Sequence, residues 1–103
     1  MAKGMLYVET RPASHEQEDA YHAWYEGHVQ EMLAIDGFVA ARRFAPVDDD
    51  GPFVAVYEID SDDIESARAR LAEAVQAGKV TNSPTVQSDP PPVVRVLREI
   101  AAY

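Results

Sequence analysis

The segment of residues 21–35 carries the side chains best suited to chemistry. At about 100° per residue of a helix, one face collects six of them: Tyr21, Trp24, Tyr25, His28, Met32 and Ile35. His28 lies near the middle of that face, where desolvation would lower its pKa and keep the imidazole neutral. A neutral histidine between aromatic rings could serve as a general base or acid, or could anchor a substrate carbonyl or hydroxyl. A core histidine bonded to a backbone carbonyl fits the same spacing, so both interpretations stay open.

Four aromatic side chains are candidate substrate-binding residues, namely Tyr7, Trp24, Tyr25 and Tyr57. Tyr7 and Tyr57 lie in segments predicted to be neighbouring strands, and their hydroxyls need partners if they are buried. They could line a ligand cavity, or they could be interface aromatics between subunits. Trp24 and Tyr25 could be ligand walls or ordinary core residues.

The three histidines do not have the spacing of a metal site. His15 and His22 are seven residues apart, which is about 10 Å along a helix, and His28 falls on a different side from His22. No pair has the i, i+4 spacing typical of zinc ligands on a helix, and the chain has no Cys. Neither a GxGxxG nor a GxxxxGK[ST] motif is present, and there is no GxSxG motif. We therefore expect no metal and no cofactor.

The elements that would position these residues follow the order β-α-β-β-α-β. The pattern predicts strands at 5–10, 38–44, 53–59 and 93–100, a first helix from Ser14 to about Ala34, and a second from Asp62 to Gly78. An acidic turn at 47–52 joins the middle strands. This order is that of a ferredoxin-like α+β fold, with a four-stranded antiparallel sheet, the first and third strands central, and both helices on one face.

The segment Lys79–Pro92 contains four prolines and no periodicity. A connection of this length without regular structure usually forms a binding loop, a lid or an arm.

Both faces of the predicted sheet are apolar. Alternation assigns Leu6, Val8 and Val56 to one face, and Met5, Tyr7 and Tyr57 to the other. Two helices on one side can cover a single face, so strands that are apolar on both sides need a second covering layer. We expect a homodimer whose sheets meet face to face. Arg43 and Glu58 could form a buried ion pair on neighbouring strands.

The length and the net charge limit the number of domains and the kinds of partner that we expect. The 103 residues suit one domain, and 9 basic against 18 acidic residues give a net charge of −9. Such a field repels polyanions, so nucleic acid and acidic membrane surfaces are not expected partners. No apolar run approaches a membrane span, and the start lacks the apolar stretch of a signal peptide. A cytoplasmic protein is the expectation.

Three stretches together resemble the EthD-type branch of the dimeric α/β-barrel superfamily: Trp24–Leu33 with its aromatic pair and histidine, Gly37–Phe44, and Val56–Glu58. The similarity covers nearly all of residues 1–103, which would form one dimeric α/β-barrel domain. It implies a homodimer whose two sheets form a barrel, with a pocket in each protomer between the sheet and the helices. It also implies that His28 corresponds to the functional helix histidine.

The resemblance implies cofactor-independent chemistry on an aromatic, polyketide-like or xenobiotic molecule, by a lyase, cyclase, isomerase or dehydratase. His28 would be the general base or acid, and Tyr7 or Tyr57 would stabilise a developing oxyanion. Trp24 and Tyr25 would stack on a flat apolar ligand. The alternative is a non-catalytic small-molecule-binding or accessory protein that uses the same pocket.

Overall fold

The chain folds in the predicted order of elements. A computed structural model describes residues 2–48 and 50–103, so Met1 and also Asp49 of the predicted 47–52 turn lie outside the described residues. The elements are β1 (Ala2–Thr10), α1 (Glu18–Leu33), β2 (Phe38–Phe44), β3 (Phe53–Ser61), α2 (Ile64–Gln76) and β4 (Val93–Arg98). A short 3-10 helix, His15–Gln17, leads into α1. The predicted ferredoxin-like α+β class is confirmed.

The four strands form one antiparallel sheet in the order β2-β3-β1-β4. The strands β1 and β3 are therefore central, as predicted. Leu6 pairs with Tyr57 and Val8 with Ala55, and directly paired residues share a face of the sheet.

The register corrects the predicted faces of β3. Leu6 and Tyr57 lie on the same face, toward the helices, whereas the sequence placed them on opposite faces. Alternation shows which residues of one strand share a face, but only cross-strand pairing relates one strand to the next. The predicted Arg43–Glu58 pair is wrong for the same reason. Arg43 pairs with Ala55 on the helix-facing side, while Glu58 pairs with Met5 on the other side.

The ends of the helices differ slightly from the sequence patterns. Asp63, and not Asp62, is the N-cap of α2, where it accepts hydrogen bonds from the Ser66 backbone N–H (2.7 Å) and hydroxyl (2.8 Å). Ser14 makes no side-chain cap bond, and the 3-10 turn forms the first part of the predicted helix. Gly37, after α1, has a φ of 98°, a conformation that favours glycine.

The core lies between the helices and one face of the sheet. α1 contributes Tyr21, Tyr25 and Met32, which are buried against the helix-facing residues of β1 and β3. Ala67 and Ala74 of α2 complete this layer. Neither described helix is long and apolar enough to traverse a lipid bilayer.

Candidate functional site

An open cavity of about 470 Å³ lies between the helix-facing side of the sheet, α1 and the segment 79–92. We call this segment the strap. Apolar residues and uncharged polar residues line the cavity. They are Leu6, Val8, Thr10, Trp24, Tyr25, His28, Met32, Tyr57, Leu71, Val80, Asn82, Ser83, Val86, Gln87, Ser88, Pro92 and Val94. Its size and its mostly apolar wall suit a small organic molecule.

His28 lines this cavity with its ring held by aromatic neighbours. The indole of Trp24 stacks on the imidazole, with 4.4 Å between ring centroids and 20° between planes, and Tyr25 meets it edge-on at 5.5 Å. Glu31, one turn further along α1, places Oε1 3.5 Å from His28 Nδ1. Burial lowers the pKa of His28, and the nearby carboxylate opposes that shift. The imidazole is therefore neutral at pH 7.

Three cavity-lining side chains carry buried polar atoms without a hydrogen-bond partner in the described part of the chain. These atoms are Trp24 Nε1, His28 Nδ1 and the Tyr57 hydroxyl. The Tyr57 side chain is almost fully buried, and this burial raises the pKa of its hydroxyl, which stays protonated. Unpaired buried polar groups are rare in proteins and call for a physical explanation.

Tyr25 is held in place by Thr10 of β1 and Arg43 of β2. Thr10 Oγ1 lies 3.2 Å from the Tyr25 hydroxyl and 2.5 Å from that of Tyr21, so one side chain holds both rings. The guanidinium of Arg43 lies over the Tyr25 ring, 4.1 Å from its centroid, and donates to His22 Nδ1 at 3.1 Å. Tyr25 thus offers the cavity a fixed ring.

The strap is fastened at two places. The Glu31 carboxylate accepts bonds from the Thr81 backbone N–H (3.0 Å) and hydroxyl (2.9 Å), which lower the pKa of Glu31. Further along, the strap pairs with the segment 11–13: Ala13 N–H donates to the Thr85 carbonyl at 2.7 Å, and Gln87 N–H donates to the Arg11 carbonyl at 2.8 Å. Glu31 therefore connects the strap to the neighbourhood of His28.

The structure brings together four of the five predicted site residues. Trp24, Tyr25, His28 and Tyr57 line the cavity. Tyr7 lies on the opposite face of the sheet, where its hydroxyl donates to Glu9 at 2.8 Å.

Two residues of the site were missed by sequence reasoning. Glu31 could have been found, because an acid three residues after a helical histidine lies on the same side of the helix. Thr10 carries no such signal, since its tyrosine partners lie 11 and 15 residues away.

A metal centre is not evident in the residues the structure describes. Within 2–48 and 50–103, no three His, Cys, Asp or Glu side chains come close enough together to hold a metal ion.

Comparisons with known proteins identify the fold. No family model and no curated protein matches the sequence. A protein of unknown function from Nitrosomonas europaea aligns with a TM-score of 0.64 and 20% identity, over 100% of this chain and 94% of the other. Rv0793 from Mycobacterium tuberculosis aligns with a TM-score of 0.61 and 17% identity, over 97% of both chains.

A third solved structure, from Shewanella loihica PV-4 and provisionally assigned as a monooxygenase, aligns with a TM-score of 0.60 and 17% identity over 99% of both chains. At these identities the likeness extends to the fold, and the whole chain takes part in it.

Proposed function

We propose that this protein binds a small apolar or aromatic molecule in the cavity beneath α1 and converts it without a cofactor, with His28 as the proton-transferring residue. The observation that carries the proposal is the neutral imidazole of His28, which lines the cavity between two aromatic rings with a carboxylate beside Nδ1. A carboxylate beside one ring nitrogen of a histidine is a common arrangement around a general base.

The roles of the surrounding groups follow from their chemistry. Because Glu31 faces Nδ1, it favours the tautomer that carries the proton there, which leaves Nε2 free to accept one. Nε2 would remove a proton from a carbon or hydroxyl beside a carbonyl, and Glu31 would stabilise the resulting imidazolium. The protonated hydroxyl of Tyr57 would donate to the oxygen that gains charge. This proton transfer is common to the lyase, cyclase, isomerase and dehydratase reactions expected from the EthD-type resemblance.

The proposed assembly is a homodimer of EthD-like protomers. The sheet face away from the helices carries exposed apolar side chains, including Phe44 and Leu97. It also carries both signs of charge, in Arg42 and Glu58. A two-fold pairing of this face with a second copy would cover the apolar residues and match opposite charges. This supports the dimeric barrel that the sequence motifs imply.

The test uses 1-tetralone, a flat ketone with acidic hydrogens beside its carbonyl, dissolved in D2O. We expect the wild-type protein to accelerate deuterium incorporation at that carbon, measured by proton NMR. His28→Gln should lower the acceleration by about 100-fold, the usual contribution of general acid–base catalysis. His22→Gln is the matched control, because His22 binds Arg43 and does not line the cavity.

Equal acceleration by the wild type and His28→Gln would refute the assigned role of His28. A wild-type protein that broadens the 1-tetralone signals without exchanging its hydrogens would instead support the non-catalytic binding protein. That alternative has its own structural basis, because the carboxylate of Glu31 is already engaged by Thr81.

A further inference from the structure

We propose that the cavity selects uncharged molecules that carry a carbonyl-type acceptor oxygen on an apolar body, in preference to anions and to hydrocarbons of the same shape. The inference rests on the proposed function only in that the cavity binds a small molecule. It adds the chemical class of that molecule.

The first argument is that the unpaired polar groups of the cavity can donate hydrogen bonds. The indole Nε1–H of Trp24 can donate but cannot accept. The Tyr57 hydroxyl, whose raised pKa keeps it protonated, is a second buried group without a described partner, and it can donate as well as accept. A buried donor without an acceptor destabilises the protein. A ligand that supplies the acceptor removes this cost and also forms a hydrogen bond, and both effects favour its binding. The ligand should therefore present at least one oxygen to these groups.

The second argument is the absence of charge in the wall. None of the described residues that line the cavity is Lys, Arg, Asp or Glu. Arg43, the cation of the neighbouring cluster, is already engaged by Tyr25 and His22. The chain as a whole has a net charge of −9. A carboxylate or phosphate would lose its hydration here without gaining a counter-charge, whereas a ketone carries its acceptor at no such cost.

The third argument concerns the rest of the ligand. Much of the remaining wall is apolar and is formed by Leu6, Val8, Met32, Leu71, Val80, Val86, Pro92 and Val94. Together with the stacked ring of Trp24, they favour an apolar and largely flat body.

The experiment compares three probes of nearly the same shape by equilibrium dialysis with the full chain at about pH 7.5. The probes are 2-acetylnaphthalene, 2-isopropenylnaphthalene, in which a CH2 group replaces the carbonyl oxygen, and the anion 2-naphthoate. We expect the ketone to bind about tenfold more tightly than either of the others, since a site built to donate hydrogen bonds discriminates against analogues that cannot accept them.

A second arm assigns the preference to the donor. Tyr57→Phe keeps the ring and removes the hydroxyl, so it should reduce the ketone-to-alkene ratio severalfold while leaving alkene affinity the same or higher. Tyr103→Phe, at an exposed position outside the cavity, should leave the ratio unchanged. Because the alkene measures binding itself, a folding defect in Tyr57→Phe would appear as loss of both probes.

The outcomes separate this inference from the function beneath it. Equal affinity for ketone and alkene, or tighter binding of 2-naphthoate, would overturn the acceptor class while leaving a binding cavity in place. Failure of all three probes to bind would overturn the binding cavity and the inference together. A ketone preference that Tyr57→Phe does not reduce would contradict the role of the Tyr57 donor.

Discussion

The environment of His28 makes the stability of the protein depend on pH. In the unfolded chain this imidazole has an ordinary pKa of about 6.5, whereas burial beside Trp24 lowers its pKa in the folded protein. As pH falls through about 6.5, the unfolded chain takes up a proton that the folded chain does not, so the unfolding free energy decreases. The decrease continues down to the folded pKa and then stops. Stability from this group is therefore present above pH 6.5 and declines below it.

His28→Gln should remove that part of the pH dependence. Urea unfolding at about pH 7.5 and pH 5.5, at one protein concentration, should show a smaller difference for His28→Gln than for the wild type. His22→Gln, the same substitution at a histidine that does not line the cavity, is the matched control. A His28→Gln profile that superimposes on the wild type would show that the imidazole is not desolvated.

The side chain of Thr10 contacts two buried tyrosine hydroxyls. Its hydroxyl is the described partner of two buried tyrosine hydroxyls, Tyr21 and Tyr25. Thr10→Val keeps the shape and leaves both hydroxyls without that partner, so we expect a loss of about 1–3 kcal/mol in the free energy of unfolding. Tyr103→Phe, which removes a hydroxyl from an exposed residue, should change it by less than about 0.5 kcal/mol. Denaturant unfolding measures both, and equal effects would contradict a special role for Thr10.

The position of a site residue was predictable from sequence where the other site residues lie close to it along the chain. His28, Trp24 and Tyr25 belong to one helix, so a period of 3.6 residues predicts that they share a face, and the structure places all three at the cavity. Tyr7 and Tyr57 belong to different strands, and their relative faces depend on a register that no local pattern contains.

At the scale of elements, the strap forms one wall of the cavity. It is fixed to α1 by Glu31, whose carboxylate holds the backbone N–H and hydroxyl of Thr81. Glu31→Gln weakens these charge-assisted bonds, so the amides of residues 80–83 should exchange with solvent faster while the amides of the central strands keep their protection. Hydrogen exchange followed by NMR measures this. Glu26→Gln, an exposed position on the same helix, is the control and should leave the strap unchanged.

The elements themselves were largely readable from the sequence. β2 spans the predicted residues, and Gly37 and Gly78 follow the helices as expected, because helix ends and turns are set by nearby residues. The strap was predicted only as an irregular segment. Its contacts with residues 11–13 and with Glu31 join parts of the chain more than 45 residues apart, and composition does not encode such pairings.

At the scale of the whole molecule, the two faces of the sheet differ in how much apolar surface they expose. The helices cover the face that contains Leu6 and Tyr57. The opposite face contains Tyr7 and Val56. Phe44 and Leu97, on this second face, are 47% and 43% exposed in the single chain. Apolar surface of this kind is stabilised by a partner. In the proposed homodimer, a second copy would supply the same apolar residues and the complementary charges.

The proposed dimer can be tested by placing a charge on that face. Leu97→Glu lies on the edge strand β4, where the side chain is already part-exposed, so the single protomer should tolerate it. In a two-fold pairing the substitution buries two carboxylates against apolar surface, and we expect the dissociation constant of the dimer to rise by at least about 100-fold. Val75→Glu, on the exposed side of α2 away from this face, adds the same charge and should leave the dimer intact. Analytical ultracentrifugation of the three proteins at micromolar concentration measures these differences. A wild-type protein that sediments as a single protomer would contradict the proposed dimer and therefore the proposed barrel.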